Sequence, residues 1–187
     1  MVKKKTCVFI SGKGSNLKNL IFRSRDANFP IRISLIIYNN KNAKGMLFAK
    51  KYNIPYVFIN TNIKNYENKI LFNLNKYKIS FICLAGYMKI ISYKIIRKFE
   101  KKIINIHPSL LPKFKGLNTF SRILKNKEIK SGCTVHFVNK KLDDGKIITR
   151  KIFYLSSKDN EQTIKLKTQK LEYKAYPEAI IKIFNAR

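Results

Sequence analysis

The sequence predicts an α/β fold: an open, mostly parallel sheet with helices on both faces. Two observations carry that expectation. Short β-branched or aromatic runs alternate with longer stretches of helical spacing, and the short runs are apolar end to end rather than at every second residue. Strand and helix in that rhythm build βαβ units, and a strand reads as a continuous apolar run when both of its faces are covered.

The first four strands are "TCVFISG" (6–12), "IRISLIIYN" (31–39), "PYVFIN" (55–60) and "ISFICLAG" (79–86). Between them lie the helical segments "SNLKNLIFRSRD" (15–26), "AKGMLFAKKYN" (43–53) and "YENKILFNLNKY" (66–77). "KIINIHPS" (102–109) is a fifth strand, followed by a loop to Gly116 and a helix near 118–127. Two more strands, "GCTVHFVN" (132–139) and "KIITRKIFYL" (146–155), precede a closing helix over about 161–184. No Pro/Gly/Ser-rich linker divides the 187 residues, so one domain, 1–187, is expected.

Composition narrows the class. No apolar run approaches the roughly 20 residues that span a bilayer, and the start passes from three lysines straight into a strand, so a cytoplasmic protein without a membrane partner is expected. Cys7, Cys83 and Cys133 each sit in an apolar, strand-like run, with no C-x-x-C spacing and only two histidines in the chain. They read as reduced core thiols, and no metal is implied. Forty Lys and Arg against ten Asp and Glu give a net charge of +30, which points first to nucleic acid or an acidic membrane. The lysines, however, are spread from end to end and accompany an excess of Ile, Asn, Tyr and Phe, all residues with A/T-rich codons. Codon bias on solvated positions accounts for that pattern, and only nonspecific attraction for nucleic acid is expected.

In open α/β sheets, ligands bind outside the carboxyl ends of the strands. Of seven glycines, six (Gly12, Gly14, Gly86, Gly116, Gly132, Gly145) fall in loops or at strand margins, while Gly45 reads as lying inside a helix. "SGKGSNL" (11–17) follows the first strand and opens the first helix. It is either an anion cradle of backbone N–H groups or an ordinary Ser or Asn N-cap after a Gly turn. Asn105 and His107 are two apart on a strand and so share a face. Asp143 and Asp144, in "LDDG" (142–145), are adjacent in a chain with only two other aspartates; they form either a solvated turn or a carboxylate that orients His107. His136, within "TVHFV", reads as a core or supporting histidine. "LAGYMKII" (84–91) would line a flat aromatic ligand's pocket or serve as core, and periodicity does not separate the two.

Taken in order, "SGKGSNL", "LAGYMKIIS", "NIHPSLLPKFKGL", "GCTVHFV", "LDDG" and "QKLEYKAYPEAI" resemble the phosphoribosylglycinamide formyltransferases of purine biosynthesis over nearly the whole chain. The resemblance implies a Rossmann-like formyl-transfer fold. It implies transfer of a formyl group from 10-formyltetrahydrofolate, as co-substrate and without a metal, to the amine of 5-phosphoribosylglycinamide. Position by position it makes Asn105, His107 and Asp143 the catalytic trio, and Gly14, Ser15 and Asn16 the cradle of the ribonucleotide phosphate. Gln169, Lys170, Leu171 and Glu172 would meet the same substrate. Met88, Lys89, Ile90 and Ile91 match the wall of the pterin pocket, with Asn105 also touching the folate and Lys64 standing in for a further basic contact. The chain departs from the pattern in four ways: Asp144 stands where a Gly is expected, Asn118 where a His is, Lys13 where a neutral polar residue is, and a terminal strand carried by many relatives is not matched.

Attack of an amine on a formamide-like carbon makes an oxyanion and an ammonium, so such a site needs donors at the oxygen and a proton shuttle. Asn105 and protonated His107 are expected to donate to the oxyanion, with Asp143 favouring the imidazolium. Small-molecule substrates and a monomer or weak homodimer are expected. Three rival readings are a methionyl-tRNA formyltransferase-like enzyme, a formyltetrahydrofolate hydrolase-like enzyme and a basic nucleic-acid-binding module. The first two carry further domains for which this chain has no room, and the third has no use for the trio.

Overall fold

The computed structural model describes residues 2–185. Seven strands form one sheet in the order β3-β2-β1-β4-β5-β6-β7, an open and mostly parallel α/β arrangement. The chain divides into two compact units, Met1–Ile104 and Asn105–Arg187.

The first unit runs β1 (Lys4–Ile10), α1 (Ser15–Ser24), β2 (Ile31–Tyr38), α2 (Met46–Lys51), β3 (Tyr56–Phe58), α3 (Tyr66–Lys76), β4 (Phe81–Leu84) and α4 (Tyr93–Lys98). β1 pairs in parallel with β2 and β4, placing Phe9 opposite Ile37 on one side and Leu84 on the other. Cys7, Val8, Phe9 and Ile10 are all fully buried, as are Leu35, Ile36 and Ile37. Consecutive strand residues point to opposite faces, so their common burial means that both faces are covered. Strand order reverses between β1 and β4, and the loops leaving the carboxyl ends of these two strands hold residues 11–14 and 85–92.

The second unit holds the end of β5 (Ile103–His107), then α5 (Thr119–Lys125), β6 (Lys130–Phe137), β7 (Ile147–Tyr154) and α6 (Glu161–Asn185). β6 and β7 are antiparallel, and α6 packs on both of them. The long helix starts with reciprocal caps: the Thr163 N–H donates to Asn160 Oδ1 at 3.0 Å, and the Asn160 N–H donates to Thr163 Oγ1 at 2.9 Å.

One element was not expected from the sequence, and one expectation needs correcting. "SYKIIRK" forms a further short helix, α4, whose signal is Ser92 in an extended N-cap conformation followed by buried Ile95 and Ile96; six residues are too few to show a periodicity. Gly45 is the N-cap of α2 rather than a helix-interior residue. It is glycine because the first turn lies against it: a Cβ on Gly45 would stand 2.7 Å from Ile10 Cδ1 and 2.9 Å from Gly14 Cα.

Candidate active site

β5 ends in "NIH", and its alternation sets Asn105 and His107 on one face, with Ile104 and Ile106 buried on the other. Asp143 is brought to them by the loop between β6 and β7. There it adopts a left-handed conformation, φ 47°, which is uncommon outside glycine and asparagine and turns its carboxylate inward. Its side chain is only 7% exposed.

The carboxylate is held from several sides. The Gly116 N–H donates to Oδ2 at 2.9 Å, Asn105 Nδ2 donates to Oδ1 at 3.3 Å, and His107 Nδ1 lies 3.3 Å from Oδ2. His136 Nε2 is 3.6 Å from Oδ1 and 3.3 Å from Asn105 Nδ2. The other His136 nitrogen, Nδ1, is 2.8 Å from the Phe137 carbonyl, which only accepts, so Nδ1 carries the hydrogen and Nε2 receives the Asn105 amide. His136 therefore stands behind the trio and fixes the orientation of Asn105. Strand alternation marked it as a core or supporting histidine, and the structure supplies its partners.

His107 Nε2 is 2.8 Å from the Phe114 carbonyl. Both ring nitrogens thus face acceptors, Phe114 on one side and Asp143 on the other. A neutral ring satisfies only one of these contacts, and uptake of a proton completes both. Burial opposes that uptake: it pulls His107 below the ordinary imidazole value, while the Asp143 charge and the Phe114 carbonyl pull upward without overcoming it. Geometry thus favours the imidazolium expected from the sequence, and burial disfavours it. Asp143 also shifts downward. Burial resists its charge, but the Gly116 N–H hydrogen bond and the neighbouring imidazoles hold its carboxyl below the usual range.

The neighbouring Asp144 has a different environment. It is exposed and pairs with Lys115, which keeps its carboxyl low. Arg122 braces the same segment, donating to the Lys115 carbonyl at 2.6 Å and lying 5.5 Å from the Phe114 ring centroid. The loop carrying Phe114, Gly116 and Asn118, all at positive φ, is thus tied at both margins of the trio.

In the first unit, Gly14 is the N-cap of α1 with φ 72°, and the Lys18 N–H donates to its carbonyl at 2.9 Å. The cap is glycine rather than Ser15 or Asn16. Asn16 is buried and Ser15 half-buried. Among residues 88–91, Met88 and Ile90 are 69% and 68% exposed, Lys89 is exposed, and Ile91 turns into the core. Lys64 is exposed in the turn before α3. In the second unit, Gln169, Leu171 and Glu172 are half-buried along α6 and Lys170 is exposed. Burial, with the charge of Glu172, pushes the Cys133 thiol up to about 12.

Residues 4–180 match the formyl transferase family model. The chain is 38% identical over 185 residues to phosphoribosylglycinamide formyltransferase of Haemophilus influenzae, covering 97% of this chain and 87% of that protein. It is 36% identical to part of the human trifunctional purine biosynthetic protein adenosine-3, covering 95% of this chain but 18% of that protein. Among solved structures, phosphoribosylglycinamide formyltransferase from Brucella melitensis superposes with a TM-score of 0.92 at 34% identity, covering 100% of this chain and 97% of that one.

Proposed function

The chain belongs to the formyl transferase family, and we propose that its trio Asn105, His107 and Asp143 carries the reaction. The chain is a phosphoribosylglycinamide formyltransferase-type enzyme: it moves a formyl group from 10-formyltetrahydrofolate to the amine of 5-phosphoribosylglycinamide in purine biosynthesis. The relatives' names favour this acceptor over methionyl-tRNA or water.

One observation supports the assignment of roles: a buried imidazole whose two nitrogens both face acceptors. The substrate amine attacks the formyl carbon and must lose a proton, while the departing folate nitrogen must gain one as its bond to that carbon breaks. His107 relays the proton by exchanging the Phe114 carbonyl for the substrate at Nε2, while Nδ1 stays on Asp143. It then returns the proton to the leaving nitrogen. Asn105 stabilises the oxygen of the formyl carbon. Its amide hydrogens now meet protein acceptors at 3.3 Å, the weak end of the hydrogen-bond range, so a developing oxyanion competes well for them.

Gly14, Ser15 and Asn16 cradle the ribonucleotide phosphate, and Gln169, Lys170, Leu171 and Glu172 meet the same substrate. Met88, Lys89, Ile90 and Ile91 line the pterin, Ile91 through its backbone, with Lys64 as a further basic contact. Residues 1–187 act as one formyltransferase domain, a monomer or weak homodimer. Three free, buried cysteines fit a reducing cytoplasm. The decisive assay mixes the purified protein with 5-phosphoribosylglycinamide and 10-formyltetrahydrofolate and follows deformylated folate by absorbance. Turnover that falls by about 10²-fold or more in His107→Ala supports the reading, and an inactive wild type refutes it.

A further inference from the structure

Ser11 lies at the carboxyl end of β1, where the strand order reverses, and it is 7% exposed. It bonds in four directions. Its N–H donates to the Gly86 carbonyl at 3.1 Å, and its own carbonyl accepts from Asn40 Nδ2 at 3.2 Å. Its hydroxyl donates to Asn39 Oδ1 at 2.6 Å and accepts the Met88 N–H at 2.8 Å. One residue thus joins the ends of β1, β2 and β4.

The last of these bonds links two ligand subsites. Ser11 is the first residue of the turn that carries Gly14, Ser15 and Asn16, and Met88 is the first residue of the pterin wall. Residues 85–92, between β4 and α4, have no regular secondary structure; Ala85 and Ile91 are buried and Tyr87 packs against Phe9, but Met88 is 69% exposed and receives little order from packing. The Ser11 hydroxyl is a pin in the middle of this segment. Only a group that donates and accepts at once can serve Asn39 and Met88 together; alanine can do neither.

We infer that Ser11 is a positioning residue that sets the pterin wall in register with the ribonucleotide turn. The inference rests on the formyl-transfer reading. It also makes an asymmetric claim: Ser11→Ala keeps both backbone bonds that hold the turn to Gly86 and Asn40 and cuts the two hydroxyl bonds, to Asn39 and to Met88, so that of the two subsites only the pterin wall loses a tether. Damage therefore falls on the folate side.

The test compares wild type, Ser11→Ala and Ser11→Thr by steady-state kinetics, by calorimetric titration with tetrahydrofolate, and by thermal unfolding. Ser11→Ala is expected to raise the folate KM and the tetrahydrofolate Kd about ten-fold, to leave the ribonucleotide KM within about two-fold, and to change kcat by less than about three-fold. Ser11→Thr, which keeps the hydroxyl, restores folate affinity. Equal losses for both substrates together with a lowered Tm would reduce Ser11 to a fold-stabilising residue and overturn the inference, as would an unchanged tetrahydrofolate Kd in an active protein. A wild type that neither turns over nor binds tetrahydrofolate overturns the functional reading as well, which separates the two failures.

Discussion

Around His107, side chains hold side chains. Asn105, His107, His136 and Asp143 meet one another under cover, with His107 only 5% and His136 only 2% exposed. At the first turn the chain presents backbone instead: Gly14 caps α1 without a side chain, Gly45 lies against it, and the Gly45 N–H donates to the Gly12 carbonyl at 3.0 Å. The two regions answer different demands. A proton shuttle needs a particular proton affinity, which burial and a charged neighbour supply. A phosphate cradle needs N–H groups aimed at one point, which conformation supplies. Substitutions in the first region should therefore change rates and pH profiles, and those in the second should change affinity.

The largest effect is expected from Asp143→Asn. Its carboxylate raises the His107 pKa against the downward pull of burial, so its removal lets the imidazole value fall further. The acid limb of the rate profile, where His107 becomes protonated and ceases to be a base, moves to lower pH, while kcat drops by about 10²–10⁴-fold. An acid limb that moved upward would break the account of His107. Stability follows the same groups. The folded values of His107 and Asp143 lie below their ordinary 6.5 and 3.8, so the unfolded chain binds protons first and stability falls as pH drops below 6.5. Denaturation midpoints at pH 7.5 and pH 5 should show this loss, and His107→Phe should diminish it.

Next in size is Gly14→Ala. The added Cβ would meet Gly45 Cα at 2.5 Å, at a φ of 72° that side chains disfavour. Strain of this kind costs roughly 1–3 kcal/mol, and displacement of the turn should raise the ribonucleotide KM about ten-fold or more with little change in the shape of the pH profile. Ser15→Ala combined with Asn16→Ala should raise the same KM and leave the folate KM nearly unchanged. A shifted pH profile in either variant would erase the contrast between the regions.

The sheet was legible because its strands are buried on both faces and so spell themselves as apolar runs. Asn105 and His107 were legible because their spacing puts them on one face in any strand. Asp143 could be placed beside His107 only through resemblance, since no local rule says where a loop between β6 and β7 folds back. The His107 proton balance was not legible at all. It depends on how deeply the ring is buried and on the Phe114 carbonyl seven residues onward, and neither leaves a mark in residue type. The same holds for Ser11, whose partners Asn39 and Met88 are 28 and 77 residues away.

The smallest effect, and the finest test of the first region, concerns Asp144. It stands where a glycine is expected, immediately after Asp143, and in this chain it pairs with Lys115. That pair connects the Asp143 loop to the segment whose Phe114 carbonyl faces His107 and whose Gly116 N–H holds Asp143. The connection is exposed, however, with side-chain accessibilities of 33% and 37%, and exposed pairs contribute little and are screened by salt. Asp143 keeps its bonds to Gly116 and Asn105 without it, and the Asn139 amide reaches the Asp144 backbone carbonyl, which a glycine also provides. Asp144→Gly should therefore lower kcat by no more than about two-fold at low ionic strength, and the difference should vanish by about 0.5 M salt as screening removes the pair from the wild type too. Rates of both proteins measured across a salt series check this. A crippled Asp144→Gly beside a tolerated Asp143→Asn would mean that the wrong one of the two neighbouring carboxylates has been assigned to the imidazole.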